Sequence, residues 1–253
     1  MPRETFVAIP DVHIPFQDDV AVRAVFGFIE SFQPDYIIQI GDLLDCYALS
    51  SWDKSAERRL LTFQDEVDLG VTFLADLRDM CPSATIIYCE GNHEHRLEKL
   101  RAAQSSSGMG SLRRTRLTEL LRLKSMGVYH HSYHEYSAPF GKSLIFKHGD
   151  VARMHSGRSA HAQSDKAHRR DLCCGISGHT HRIGRYSVTR GGRSYWWIEA
   201  GHLATREVSR EYCPDPPDWQ QGIVVGFHDE FGPHAWCCPI HDGRLTLPSD
   251  AGL

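Results

Sequence analysis

A chain of 253 residues is long enough for one large α/β domain or two small ones, and with 41% apolar residues it can bury a full core. A formal net charge of −4 excludes a protein that coats nucleic acid generally, while leaving room for a local basic groove. The 8 Cys form no C-x-x-C, which excludes a zinc ribbon or dithiol redox motif and reads as small buried hydrophobes in a reducing cytoplasm.

In chain order, Thr5 to Pro10 (TFVAIP) is a buried strand that stops at Asp11-Val12-His13. No basic and apolar leader precedes it, and no apolar run approaches the ~20 residues of a membrane helix, so a cytoplasmic protein without a membrane partner is expected. Asp18-Asp19 offers an N-cap to a helix with Val22, Val25, Phe26 and Ile29 at helical spacing. Tyr36 to Ile40 is a second strand, ending at Gly41-Asp42-Leu43-Leu44-Asp45. The stripe Phe63, Val67, Val71, Leu74 and Leu77 predicts a helix over Phe63–Met80. Ala84 to Cys89 is a third strand, ending at Gly91-Asn92-His93-Glu94. Each polar motif thus sits at a strand's carboxyl end, where open α/β sheets bind ligands.

Arg96 to Lys124 is rich in Arg and Lys, with a Ser/Gly break at Ser105–Ser111 that reads as a mobile loop. Leu117, Leu120, Leu121 and Leu123 suggest a helix after it. A cap or insertion at about 96–127 is expected within a single domain spanning 1–253. Val128–His131, Ser143–Lys147 and Cys173–Ser177 read as strands, the last two leading into His148-Gly149-Asp150 and Gly178-His179-Thr180-His181. His130, His131 and His134 fall in the alternating segment and read as surface residues. Beyond Gly184 the pattern is antiparallel, with a hairpin at Gly191-Gly192, further strands at Gly222–Phe227, Ala235–Cys238 and Leu245–Leu247, and a Pro-rich loop at Pro214–Trp219.

The five motifs supply Asp, Asn and His in the proportions that two adjacent divalent ions need. Residues two apart on an extended chain point the same way, so Asp11 with His13, and His179 with His181, are expected to reach one side together. Arg96 is either a bidentate grip on a phosphate or an exposed helix residue.

In their fixed order from Asp11 to His181, these motifs resemble the calcineurin-like metallophosphoesterase superfamily. The resemblance implies an α/β fold, a four-layer α/β/β/α sandwich with two mixed β-sheets. It implies two divalent metal ions, Mn²⁺ foremost, with Fe, Zn, Ni or Mg also suited to the ligands. Asp11, His13 and His181 would hold the first, Asp42 would bridge, and Asn92, His148 and His179 would complete the second. Asn92 would also meet the substrate. His93 resembles the catalytic His, and Asp45 the carboxylate that orients it and raises its pKa for general acid work. The implied reaction is in-line attack on a phosphoester by a hydroxide bridging the metals.

The chain departs from the Ser/Thr protein phosphatases of that superfamily. Cys46-Tyr47 follows Asp45, and Glu90 precedes Gly91, where those enzymes carry phosphate-gripping arginines. A phosphodiester or nucleotide phosphoester is therefore expected. The alternatives are a phosphomonoesterase acting on phosphoproteins or small phosphates, and a catalytically silent protein-binding scaffold. Basic residues of 96–124, with Lys166, Arg169 and Arg170, would draw a nucleotide or single-stranded nucleic acid, and Trp52, Tyr47 and Trp219 could stack on its bases. Asp150 and His202 lie near motif positions without an assigned role.

Overall fold

The computed structural model describes residues 3–50, 62–104, 113–152, 155–205 and 217–249. Trp52, Cys213 and the Ser105–Ser111 loop lie outside them.

Apolar continuity dictates the first sheet. In β1 (Glu4–Ile9), Phe6 and Ala8 point to one core while Val7 and Ile9 point to another, so both faces are buried and the run does not alternate with polar residues. β2 (Tyr36–Gln39), β3 (Thr85–Cys89) and β4 (Val128–His131) extend the sheet in parallel. The helices between them are α1 (Asp19–Phe32), α2 (Phe63–Met80), α3 (His95–Ala103) and the short α4 (Leu117–Leu120). Asp18 caps α1 by accepting the N–H groups of Val20 and Ala21, and Thr62 with Asp65 forms a capping box on α2.

The second sheet begins with β5 (Leu144–Lys147), followed by α5 (Arg158–His168) and β6 (Cys174–Ser177). β7 (Ile183–Arg190) and β8 (Arg193–Ala200) form the expected hairpin, turning at Gly191 and Gly192 with φ of 57° and 77°. The chain then returns to the first sheet. β9 (Gly222–Asp229) pairs antiparallel with β1, and β10 (Gly232–His241) and β11 (Arg244–Leu245) follow outward. The sheet orders are β11-β10-β9-β1-β2-β3-β4 and β5-β6-β8-β7, and both are mixed.

Three apolar clusters define four layers. Val25 and Ile29 of α1 with Leu74 and Leu77 of α2 pack on the outer face of the seven-stranded sheet. Phe6, Ile38 and Ile87 meet Phe146, Ile176 and Ile198 between the sheets. Ile145 and Trp197 meet Ala160 of α5 on the far side. The chain therefore has the α/β/β/α sandwich. The described cysteines are free thiols, all buried except the half-buried Cys237. Among the described residues no helix is long and apolar enough to cross a membrane.

One buried acid ties helix to loop. Glu66 of α2 is 0% exposed, and its Oε1 accepts the Ala48 N–H at 3.2 Å. Burial carries its pKa from the ordinary 4.5 up to about 7. A raised folded-state pKa means that its stabilising contribution is present below about 4.5 and lost as pH rises through about 7. Glu66→Gln should thus leave the thermal midpoint nearly unchanged at pH 5 and raise it at pH 8, by about 2–4 °C per kcal/mol recovered. Melting curves with equal shifts at both pH values would refute this.

Candidate metal centre

The motif loops lie side by side because the strands that lead into them do. The N–H groups of Asp11, His13 and Ile14 donate to the carbonyls of Gly41, Asp42 and Leu43 at 3.2, 2.9 and 2.8 Å. Five of the seven proposed ligand residues are not extended. Asp11, His13, Asp42, His179 and His181 have φ of 36°, 55°, 51°, 73° and 56°, left-handed values that cost a non-glycine residue on the order of 1 kcal/mol or more. Asp11 with His13, and His179 with His181, enter the site through left-handed turns at each of the four, which corrects the expectation of simple strand alternation. Two glycines make room: a Cβ on Gly91 would fall 2.0 Å from Asp42 Oδ1, and one on Gly178 2.1 Å from Asp11 Oδ2.

The polar atoms of the motifs meet in three overlapping groups: Asp11 with His13 and His181, His13 with Asp45 and His93, and Asp42 with His148 and His179. Nε2 of His13 and Nε2 of His181 are 2.9 Å apart, and Asp11 Oδ1 lies 3.3 Å from the latter. Asn92 Oδ1 sits 2.9 Å from His148 Nε2 and 2.7 Å from His179 Nδ1. Asp42 Oδ2 is 3.3 Å from His148 Nε2 and 3.8 Å from both His13 Nε2 and His93 Nε2. The seven proposed ligands are therefore brought together.

The carboxylates act unevenly on the imidazoles. Burial opposes charge on His13, yet its bond to Asp45 and the field of Asp42 carry its pKa up to about 9. His148 also rises to about 9, against burial, because of Asp42 and Asp11. Burial pushes Asp42 upward too, but the field of His148 and His93 takes it well below the usual carboxylate range. Carboxylate and amide oxygens with imidazole nitrogens are the donor set that divalent Mn, Fe or Zn accepts, so these residues fit such ions.

The surrounding polar residues divide their work differently from expectation. The carboxylate of Asp45 bonds His13 Nδ1 at 2.9 Å and lies 3.6 Å from His93 Nδ1. His93 Nδ1 instead donates to the Asp45 backbone carbonyl at 2.7 Å. Burial, together with His13 and Arg96, holds the His93 pKa below its ordinary value despite Asp42 and Asp45, the reverse of the expected rise. Arg96 is no exposed helix residue. Its Nη1 donates to the Asp45 carbonyl at 2.9 Å and its Nη2 lies 3.2 Å from His93 Nε2.

Two further acids had no role assigned from the sequence: Glu94, quoted there only as the end of the third motif, and Glu199. Glu94 accepts the N–H groups of Leu44, Asp42 and Gly91 at 2.9, 3.1 and 2.8 Å, and the Tyr88 hydroxyl at 2.9 Å. It sutures the second and third motifs. Glu199 of β8 accepts the Thr180 hydroxyl at 2.9 Å and the Gly157 N–H, fixing the turn between His179 and His181. A charged residue inside the apolar run Tyr195–Ala200 was the available signal, since buried acids are seldom unemployed. His202 is buried beside His181, its Nδ1 accepting the Ala204 N–H at 3.1 Å. Asp150 binds Lys166, and Lys147 at 3.4 Å, linking α5 to the His148 loop.

The proposed base-stacking residues separate. Tyr47 is 3% exposed and packs edge-on against Phe16, so it offers no face to a base. Trp219 is half-buried with its ring 4.2 Å from that of His181, at the site. In the basic run, Arg101 is turned to Glu98 at 2.6 Å and Arg96 inward to His93.

The sequence pattern described as calcineurin-like phosphoesterase matches residues 4–183, well over half of the chain. The Gene 54 proteins of Mycobacterium phages D29 and L5 are 28% identical over 247 residues and 27% identical over 250 residues, each over 95% of both chains. Among solved structures, Chaetomium thermophilum Vps29 aligns over 98% of both chains with a TM-score of 0.40 and 9% identity. All five motifs fall inside the matched span, and the chain belongs to the calcineurin-like phosphoesterase family.

Proposed function

We propose that the protein is a phosphoric ester hydrolase that uses two divalent metal ions, Mn²⁺ foremost, on a phosphodiester or nucleotide phosphoester. The observation that carries this reading is the convergence of Asp11, His13, Asp42, Asn92, His148, His179 and His181 beside His93 and Arg96. Asp11, His13 and His181 would hold one ion, Asn92, His148 and His179 the other, with Asp42 between them. Bound there, such ions supply an activated water at neutral pH and neutralise charge on the phosphoryl oxygens.

The chain's own groups do the rest. His93 donates from Nδ1 to the Asp45 carbonyl, which leaves Nε2 as the atom that faces Asp42 and Arg96. A bound phosphoester brings negative charge and draws the Arg96 guanidinium, raising the proton affinity of Nε2. Nε2 then takes up a proton from solvent, and His93 delivers it to the leaving oxygen as the phosphoester bond breaks. Asp45 positions both imidazoles, His13 through its carboxylate and His93 through its carbonyl.

The test compares p-nitrophenyl phosphate with bis-p-nitrophenyl phosphate, using protein loaded with Mn²⁺ and protein stripped by chelator. Metal-dependent turnover, faster on the diester, is expected. Preference for the monoester would replace the diester reading with a phosphomonoesterase. No turnover of either ester with any divalent metal would leave the protein-binding scaffold as the better reading.

A further inference from the structure

Outside the five motifs, a tyrosine beside the candidate metal centre has a hydroxyl free to meet a ligand. Tyr133 follows β4, and its ring centroid lies 6.2 Å from that of His148. His95, the first residue of α3, stacks on it at 5.1 Å with an interplanar angle of 27°. His134 closes the cluster, 5.0 Å from Tyr133 and edge-on to His95 at 5.1 Å. The ring is thus held by α3, whose start immediately follows Asn92-His93-Glu94, and by the segment after β4.

A tyrosine that merely fills a core is buried whole and bonds its hydroxyl within the protein. Tyr133 is half-buried, and among the described residues its hydroxyl has no hydrogen-bond partner. Burial, with the carboxylates of Asp150 and Asp42, pushes its pKa up, so it keeps its proton and remains a donor. Among the described residues Arg96 offers a donor for an anion beside His93. Tyr133 stands beside His148.

We propose that Tyr133 is a substrate-contacting residue, its hydroxyl donating a hydrogen bond to an oxygen of the bound phosphoryl group, with the His95 stack holding the ring in place. The inference rests on the phosphoesterase reading. It predicts that specificity toward the phosphoryl group depends on a residue that lies outside all five motifs.

The experiment uses Mn²⁺-loaded wild-type protein and the Tyr133→Phe variant, which keeps the ring. KM and kcat on bis-p-nitrophenyl phosphate, the inhibition constant of inorganic phosphate, and bound Mn are measured for each. A lost hydrogen bond to a charged oxygen should raise KM and the phosphate inhibition constant about tenfold or more, with kcat and bound Mn unchanged. His95→Ala should give a smaller rise of the same kind. Unchanged KM and phosphate inhibition in Tyr133→Phe would overturn the proposal. So would a loss of bound Mn, which would make Tyr133 a prop for His148. If the wild type hydrolyses neither ester with any divalent metal, it is the phosphoesterase reading that fails. Calorimetric titration of both Mn²⁺-loaded proteins with inorganic phosphate then decides: about tenfold weaker binding by the variant supports the contact, and equal binding overturns it.

Discussion

Asp42→Asn should abolish hydrolysis and strip the protein of metal together. The substitution keeps shape and volume and changes only charge and donor character. In the native site Oδ1 accepts the His93 N–H at 2.9 Å, while Oδ2 faces the ring nitrogens of His148, His13 and His93. An amide group would either present a donor to those nitrogens or turn one toward the His93 N–H. Either choice also removes a charge that helps, beside Asp45 at His13 and Asp11 at His148, to raise the pKa of both imidazoles. Loss of one such preorganised electrostatic group costs on the order of 10²–10³ in rate, and loss of a shared ligand costs more. Assay and metal analysis on the same preparation check it. Full activity with two bound metals in the variant would sink the ligand assignment.

His93→Ala should separate binding from chemistry. The imidazole is within reach of Asp42 yet is anchored by the Asp45 carbonyl and Arg96, so its removal leaves the seven ligands standing. Metal content should match wild type while turnover falls about 10²–10⁴-fold, the usual worth of a positioned general acid. The loss should be smaller on p-nitrophenyl esters, whose leaving anion needs little protonation, than on alkyl phosphoesters. Equal losses on both would remove proton delivery from the role of His93 and leave it a phosphate-binding group.

Much of this arrangement could be read from residues alone, for identifiable reasons. β1, β2 and β3 are buried on both faces, which produces unbroken apolar runs, and each ends at a polar motif. The stripe of α2 comes from packing on one side of a sheet, so its limits fell where periodicity placed them. α5 had no such signal. Its buried positions are Ser159, Ala160, Gln163 and Ser164, small or polar groups that fit close beneath the four-stranded sheet without an apolar stripe. Nor could sequence reveal that β9 leaves the second sheet to pair with β1, because pairing partners far apart in the chain leave no local trace. The residues that converge were legible as types and order, and that they are metal ligands is the proposal. The left-handed backbone at five of them was not, since Asp and His carry no mark of positive φ as glycine does. The mismatch between Asp45 and His93 has a similar origin: spacing suggested a carboxylate–imidazole pair, whereas the turn after Asp42 presents a carbonyl to one ring and the carboxylate to another.

The origin of the ligands has a mechanical consequence. Asp11, Asp42 and Asn92 follow strands of the seven-stranded sheet, whereas His148 and His179 follow β5 and β6 of the four-stranded one. On the proposed assignment, a cation held between the two sets would be a clasp across the sandwich, and its binding free energy would become cohesion between layers. By mass action, free metal at a hundred times its Kd adds about 2.7 kcal/mol to the folded state. Removal of the ion would then lower the stability of the folded molecule as well as its rate of turnover.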